Sequence, residues 1–254
     1  MTQRTDVVRA PHKPLTDYYA EENARQGFVR EIFDRTAPDY DRIENLLAFG
    51  SGPWYRRQAL LRAGLQPGMR VLDVGIGTGL TARAGIEIVG DGALLTGVDP
   101  SPGMMANAAL PAGVTLVEGR AESIPLPDAS YDFLSMGYAL RHIADFSAAA
   151  AEFHRVLKPG GKLCLLEITR PESSTGRLLL KGYMKGVVPV LASLIGKRKE
   201  TAQLWRYYWD TIEHCASPAS IVATLEAAGF VDARCHVETR ALSVLAEFQA
   251  TKPA

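Results

Sequence analysis

Val71-Leu72-Asp73-Val74-Gly75-Ile76-Gly77-Thr78-Gly79-Leu80 is the stretch on which the reading of this chain turns. An apolar run ends in an acid, three glycines fall on alternate positions, and a helix-like stretch begins. That order predicts a buried strand, a tight turn and the open N-terminus of a helix. Glycine is required where a ligand lies against bare backbone, because a Cβ would take its space. The glycines run G-x-G-x-G rather than the G-x-G-x-x-G of a dinucleotide site, since position 80 is Leu, and a dehydrogenase reading fails on that spacing. An acid two residues before the first glycine also suits a cationic amine better than a pyrophosphate.

Outward from this stretch, strand and helix alternate from residue 69 to residue 168. Strands are predicted over Arg70 to Gly75, Ala93 to Asp99, Val114 to Glu118, Tyr131 to Met136 and Lys162 to Ile168. Helices are predicted over Thr78 to Val89, Pro102 to Leu110, and the segment carrying Phe146, Ala149, Ala150, Phe153, Val156 and Leu157 at helical spacing. Largely apolar strands separated by helices make an α/β protein with a mostly parallel sheet covered on both faces.

The flanks read differently. Residues 1–20 are polar, carry Pro11 and Pro14, and read as a loose arm. Residues 21–66 read as an N-terminal helical cap, with Pro38 breaking the helical pattern from Phe28 to Leu47. Residues 170–215 read as an inserted helical cap. In it, Leu178 to Ile195 is apolar with Lys181 and Lys185 set into it and a kink at Pro189, before Lys197-Arg198-Lys199 and the aromatic run Trp205, Tyr207, Tyr208, Trp209. Residues 216–254 supply a helix opened by Ser217-Pro218 and closed by Gly229, then strands over Val231 to Val237 and Ala241 to Gln249.

Composition narrows the class. The 254 residues suit one large domain with appended caps, and 28 basic against 28 acidic residues give no field to steer nucleic acid. Cys164, Cys215 and Cys235 are widely spaced, so neither a metal nor a disulfide is expected, and a reduced, cytoplasmic protein fits best. No secretory signal is visible, and Val187 to Ile195 is too short to span a bilayer. Beside Lys197-Arg198-Lys199 that stretch could touch the anionic surface of the inner membrane.

A parallel sheet binds its ligand beyond the carboxyl ends of its strands, and the acids fall there. Asp73 ends the first strand and Asp99 the second, at a separation suited to a ribose diol. Asp73 could instead only stiffen the turn, and Asp99 could only cap the helix after Ser101. Tyr138, Arg141 and His142 follow the fourth strand and offer a phenol, a fixed cation and a group titrating near neutrality. Together they could orient an enol or phenol and remove its proton. In the plainer reading Arg141 pairs with Asp145 and His142 faces solvent. Glu167 is a second base candidate or a partner for Arg170. Tyr207, Tyr208 and Trp209 wall a pocket for a flat, apolar substrate, or are simply core.

These residues resemble a family. Val71 to Leu80, Gly97-Val98-Asp99, Gly119 to Pro127, Tyr131-Asp132, Leu140-Arg141 and Arg155 to Gly161 together resemble the class I S-adenosylmethionine-dependent methyltransferases. Phe33 to Asp41, Leu165 to Pro171 and, more loosely, Tyr208 to Glu213 resemble the ubiquinone/menaquinone C-methyltransferase group within them. The resemblance implies a Rossmann-like sheet of order 3-2-1-4-5-7-6 with its last strand antiparallel. It implies S-adenosylmethionine as cofactor, with Asp73, Gly75, Gly77, Thr78 and Gly79 on the methionine part. Asp99 and Pro100 would lie at the ribose, Met104, Arg120 and Ala121 at the adenine, Gly137 and Tyr138 near the sulfonium, and Tyr40 closing from above. Arg120 stands where the family has Asp or Asn, and His142 where the quinone group has Asn.

The expected activity is methyl transfer to a small, apolar aromatic or quinol-like acceptor, with C-methylation favoured. In it His142 would deprotonate the acceptor's hydroxyl and Arg141 would stabilise the anion. O- or N-methylation of a secondary metabolite or lipid head group is the rival within enzymes. A non-catalytic cofactor sensor is the rival outside them. A homodimer is left open.

Overall fold

The computed structural model describes residues 7–21, 24–47, 50–171, 173–190, 200–238 and 244–254. Lys197-Arg198-Lys199, residues 191–195 of the apolar stretch and residues 241–243 of the last expected strand lie outside them. Seven strands form one sheet in the expected order, β3-β2-β1-β4-β5-β7-β6. β1 (Val71–Val74) lies between β2 (Leu95–Asp99) and β4 (Tyr131–Gly137), parallel to both. β3 (Thr115–Glu118) extends the parallel set beyond β2, and β5 (Leu157–Ile168) extends it beyond β4. β7 (Leu245–Thr251) runs antiparallel to both β5 and β6 (Val231–Glu238).

Alternate residues of each strand serve different cores, because side chains change face at every residue. Leu72, Val74, Leu134, Met136, Leu163 and Leu165 meet Phe146 and Phe153 of α5 (Phe146–Val156) and Ile221 and Leu225 of α8 (Pro218–Ala227). Their neighbours Val71, Phe133, Cys164 and Leu166 meet Tyr55 and Leu60 of α2 (Gly52–Arg62) and Ile88 of α3 (Leu80–Val89). A side chain of this size contributes ~1.5–3 kcal/mol on full burial, so these strands have no register that leaves a face wet.

A third apolar cluster lies above the sheet's carboxyl edge. There Ile32 and Ile43 of α1 (Arg25–Leu47) pack with Leu204, Tyr207 and Trp209 of α7 (Glu200–His214). Contrary to the expectation from sequence, Pro38 does not break α1. An internal proline costs ~3 kcal/mol. The helix is held on both sides of it by the buried residues Ile32, Thr36, Ala37, Asp39 and Ile43. Ahead of Pro189 the helix changes type. α6 (Ser174–Gly182) passes into a π-helical turn over Tyr183–Val187, a wider turn that lies where the proline ring would otherwise meet the carbonyl of residue 185.

The described part of the N-terminal arm, residues 7–21, is not loose. Phe146 N donates to Arg9 O at 2.6 Å, Ala216 N to Pro11 O at 2.7 Å, and Val8 N to Thr224 Oγ1 at 2.9 Å, while His12 and Tyr19 are buried. Its polarity suggested solvent, but backbone groups distant in sequence satisfy it.

Candidate active site

The site is assembled where β1, β2 and β4 end. After Val74 the chain turns through Gly75 (φ +68°) and Gly77 (φ +54°), a left-handed conformation that disfavours side chains. A Cβ on Gly75 would also lie 2.8 Å from that of Ala139. Gly75 N and Ile76 N donate to Val98 O at 2.7 and 3.1 Å, hooking the turn onto β2. Gly77 N donates to one oxygen of Asp99 at 2.8 Å, and Ser101 N donates to the other at 2.8 Å. The cap of α4 (Pro102–Ala106) is therefore not Asp99 but Ser101, whose Oγ accepts from Met104 N. Burial pushes the Asp99 carboxyl up to about 6 despite those two N–H donors. Each of its oxygens keeps a lone pair for a further donor.

A cavity of about 360 Å³ opens over these strand ends, within the range of small-molecule sites. Gly75, Gly77, Thr78, Asp99, Pro100 and Met104 line one end of it. Arg120, Ala121, Gly137, Tyr138 and His142 line the walls, and Tyr40 of α1 and Tyr208 of α7 form the roof. The sequence singled out all of these.

Five other predicted residues lie elsewhere. Asp73 sits beneath the turn, taking a 2.7 Å bond from Ser135 Oγ, with its Oδ2 unpaired. Burial and then the nearby Asp99 push its carboxyl up to about 7. Gly79 is the left-handed cap of α3. Tyr207 packs inward on Tyr18 and Phe28, with ring centroids 5.3 Å away in each case, and Trp209 Nε1 donates to Glu213 at 2.9 Å. Neighbouring helical residues point about 100° apart, so only one of three consecutive aromatics can face the cavity.

Arg141 is the largest departure. It is fully buried, forms an ion pair with Glu167, donates through Nε to Thr211 Oγ1 at 3.1 Å, and lies 4.3 Å from the centre of the Tyr208 ring. Neither plainer partner holds. Asp145 caps α5 by accepting from Ala148 N, and Arg170 donates to Glu213 O at 2.8 Å. Arg141 thus stands behind the roof rather than in the cavity.

His142 reaches the cavity between Phe33, Tyr207 and Tyr208, with ring centroids 5.2, 5.5 and 5.4 Å away. Its Nδ1 lies 3.4 Å from the Tyr207 hydroxyl, and its Nε2 is buried without a partner. Burial, and then the Arg141 charge, hold the ring well below its ordinary pKa. It is neutral at pH 7 and half-buried. Tyr138 keeps a left-handed backbone (φ +59°), a strain of ~1–3 kcal/mol. Its ring lies 5.2 Å from the Arg56 guanidinium.

Three residues were given no role by the sequence, although Asp34 and Asp41 lie in the stretch Phe33 to Asp41 that carries the family resemblance. Asp34 accepts from Ser101 Oγ at 2.6 Å and Gly103 N at 2.8 Å, and Asp41 accepts from Thr78 Oγ1 and, at 2.9 Å, from Arg83. Two acids seven apart on one helix share a face, and that spacing was the available signal. Arg56 of α2 lines the cavity, is only 2% exposed, donates to Glu44 at 2.7 Å, and leaves Nε and Nη1 unpaired. Nothing local distinguishes it from a surface arginine.

A buried guanidinium with unused donors, a carboxylate with free lone pairs and a turn without side chains suit a ligand with a carboxylate, a ribose and a bulky sulfur centre. Fold and site together define a class I methyltransferase that uses S-adenosylmethionine. The sequence pattern of the ubiE/COQ5 methyltransferase family matches residues 19–252. The chain is 30% identical to the demethylmenaquinone methyltransferase of Staphylococcus aureus (strain JH9) over 221 residues, 85% of this chain and 90% of that one. It shares its fold with a possible histamine N-methyltransferase from Thermotoga maritima (TM-score 0.61, 24% identity, 88% of this chain and 99% of that one). The same holds for Haemonchus contortus phosphoethanolamine N-methyltransferase 2, whose structure contains S-adenosylhomocysteine (TM-score 0.62, 20% identity, 89% and 60%). This chain belongs to the ubiE/COQ5 methyltransferase family.

Proposed function

We propose that the enzyme methylates a ring carbon of a lipid-soluble hydroquinone, in the manner that the Staphylococcus aureus relative is named for. The observation that carries this reading is the unpaired Nε2 of neutral His142, set among aromatic rings in the cavity that Gly137 and Tyr138 also line. A flat, apolar ring with one hydroxyl to bond fits such a place.

The bound donor supplies an electrophilic methyl group, displaced in line from its sulfonium sulfur. Asp99 would accept from the two ribose hydroxyls, and Arg56 would meet the methionine carboxylate with its unused donors. Asp73 would place negative charge beneath the turn. Met104 and Ala121 would border the adenine, with Arg120, which is tied to Gln26 of α1, at its edge. A carbon nucleophile needs electron density from its neighbouring hydroxyl. His142 would accept that hydroxyl's proton as the new carbon–carbon bond forms and return it to the oxygen as the ring carbon loses its hydrogen to solvent as a proton, a contribution of ~10²–10⁴ in rate. Tyr208 and Tyr40 would hold the ring from above, and Arg141 would act through Tyr208 as a positioning residue. Holding the reactants in alignment supplies the larger part, of order 7–11 kcal/mol.

Incubating the enzyme with methyl-labelled S-adenosylmethionine and a reduced naphthoquinone unsubstituted next to its hydroxyl tests this. Label on a ring carbon supports it. Label only on oxygen or nitrogen of other acceptors overturns it in favour of O- or N-transfer.

A further inference from the structure

α6 differs from every other helix among the described residues that is long enough to have an apolar face. None of its residues is buried, yet Leu178 and Leu179 are 71% and 66% exposed. Val187 and Val190, which follow it, are exposed as well. From Ser173 to Val190 the sequence holds three cations, Arg177, Lys181 and Lys185, and no acid. They recur every fourth residue, so they form a row along the segment. Arg177 has no acidic partner among the described residues. Lys181 and Lys185 touch Glu213 and Asp210 of α7 but stay nearly half exposed. The inner side of the same segment, Met184 and Val188, packs into the cluster that contains Tyr208 and borders Tyr40 and Phe33 of the cavity roof.

We propose that α6 and the turn after it form a docking surface for an anionic lipid bilayer, with Leu178 and Leu179 inserted and the cation row at the head groups. Exposed leucines flanked by lysine and arginine suit the boundary between acyl chains and head groups. Each cation near an anionic surface adds attraction that falls away with salt. A second copy of this chain is the poorer occupant. A two-fold contact sets the same patch against itself, so Arg177, without an acidic partner among the described residues, would meet a surface of its own sign. The purpose of the surface rests on the lipid-soluble acceptor proposed above. A roof seated on the bilayer places the cavity beside its substrate's phase.

The test is sedimentation of the full chain, loaded with S-adenosylhomocysteine, with phosphatidylcholine vesicles with and without phosphatidylglycerol. The wild type binds the anionic vesicles, and binding weakens with added salt. The Leu178→Glu/Leu179→Glu double variant binds at least about tenfold more weakly. Arg177→Glu weakens binding to the anionic vesicles alone. These side chains are solvated, so both variants fold. A wild type that ignores anionic vesicles, or a double variant that binds as well as the wild type, overturns the proposal. A double variant that only converts a dimer to a monomer overturns it in favour of self-association. Methylation of a tail-less naphthoquinol in free solution proceeds equally in wild type and double variant. If the wild type does not methylate that probe, the acceptor assignment falls while the vesicle result stands by itself.

Discussion

The hydroxyls of Tyr40 and Tyr208 meet at 2.5 Å, joining α1 to α7 across the roof of the cavity. Burial raises the pKa of both, so both remain protonated phenols. Tyr208→Phe leaves Tyr40 a buried hydroxyl without its partner, which costs ~1–3 kcal/mol. The expected outcome is a lower melting temperature and a raised KM for the acceptor, with donor affinity nearly unchanged. Equal loss of donor and acceptor binding would show that the pair supports the whole cavity rather than its acceptor end.

Arg141 and Glu167 form a fully buried ion pair. Removing one partner strands the other charge, so Arg141→Met or Glu167→Gln alone is expected to cost ~3–5 kcal/mol of stability. Replacing both with apolar residues of similar volume costs much less. Thermal melts of the two singles and the double check this. Additive losses would mean that the residues do not act as a pair.

Asp73 and Asp99 give donor binding a defined pH dependence. Their folded pKa values, about 7 and about 6, stand above the ordinary carboxyl value of 3.8. The free folded enzyme therefore holds protons that the unfolded chain releases. Their contribution to stability is full below about pH 4 and is lost as the pH rises through about 6 and then about 7. Ribose hydroxyls and the cationic donor favour the carboxylates, so binding expels protons. Affinity for S-adenosylmethionine is expected to rise between pH 5.5 and 8, by up to about tenfold per pH unit for each proton released. Calorimetry in buffers of different ionisation heat measures that release. Binding without proton release near pH 6 would refute the assignment.

His142→Ala should lower kcat by ~10²–10⁴ and leave donor affinity intact. Because burial and Arg141 hold the ring's pKa well below 6.5, the acid limb from His142 falls below the pH range in which histidine ordinarily titrates. An activity limb near pH 6.5 that vanishes in the variant would contradict this lowered pKa.

Arg56 carries a prediction of a different kind. Arg56→Met should weaken S-adenosylhomocysteine binding by ~10–100-fold, the loss of a charge-assisted bond worth ~1.5–3 kcal/mol. A donor analogue without the carboxylate should bind wild type and variant alike. Equal weakening for both ligands would place Arg56 in the support of Tyr138 instead.

The glycine turn and the acid at the end of β2 were legible because a ligand lying on backbone imposes glycine at fixed spacing. The alternation of apolar runs with helices predicted a mostly parallel sheet, and its strand order came from the family that those motifs resemble. The roles of Arg56, Asp34 and Asp41 stayed hidden because helices outside the sheet bring them to the cavity or its rim, and a single charged residue on a helix usually faces water. Tyr207, Tyr208 and Trp209 looked equivalent in the sequence, and helical geometry separated them.

What the chain dictates locally is which backbone can turn left-handed, which stretches are apolar enough to be buried on both faces, and where acids end strands. Those are nearest-neighbour properties and read directly from residue order. Tertiary structure alone decided that Arg141 is neutralised by Glu167 behind the roof and that burial and the Arg141 charge keep the His142 ring neutral. It also decided that Arg56 keeps unused donors inside the cavity. Each depends on the dielectric and the partners that distant segments bring, and those exist only once α1, α2 and α7 have closed over the sheet.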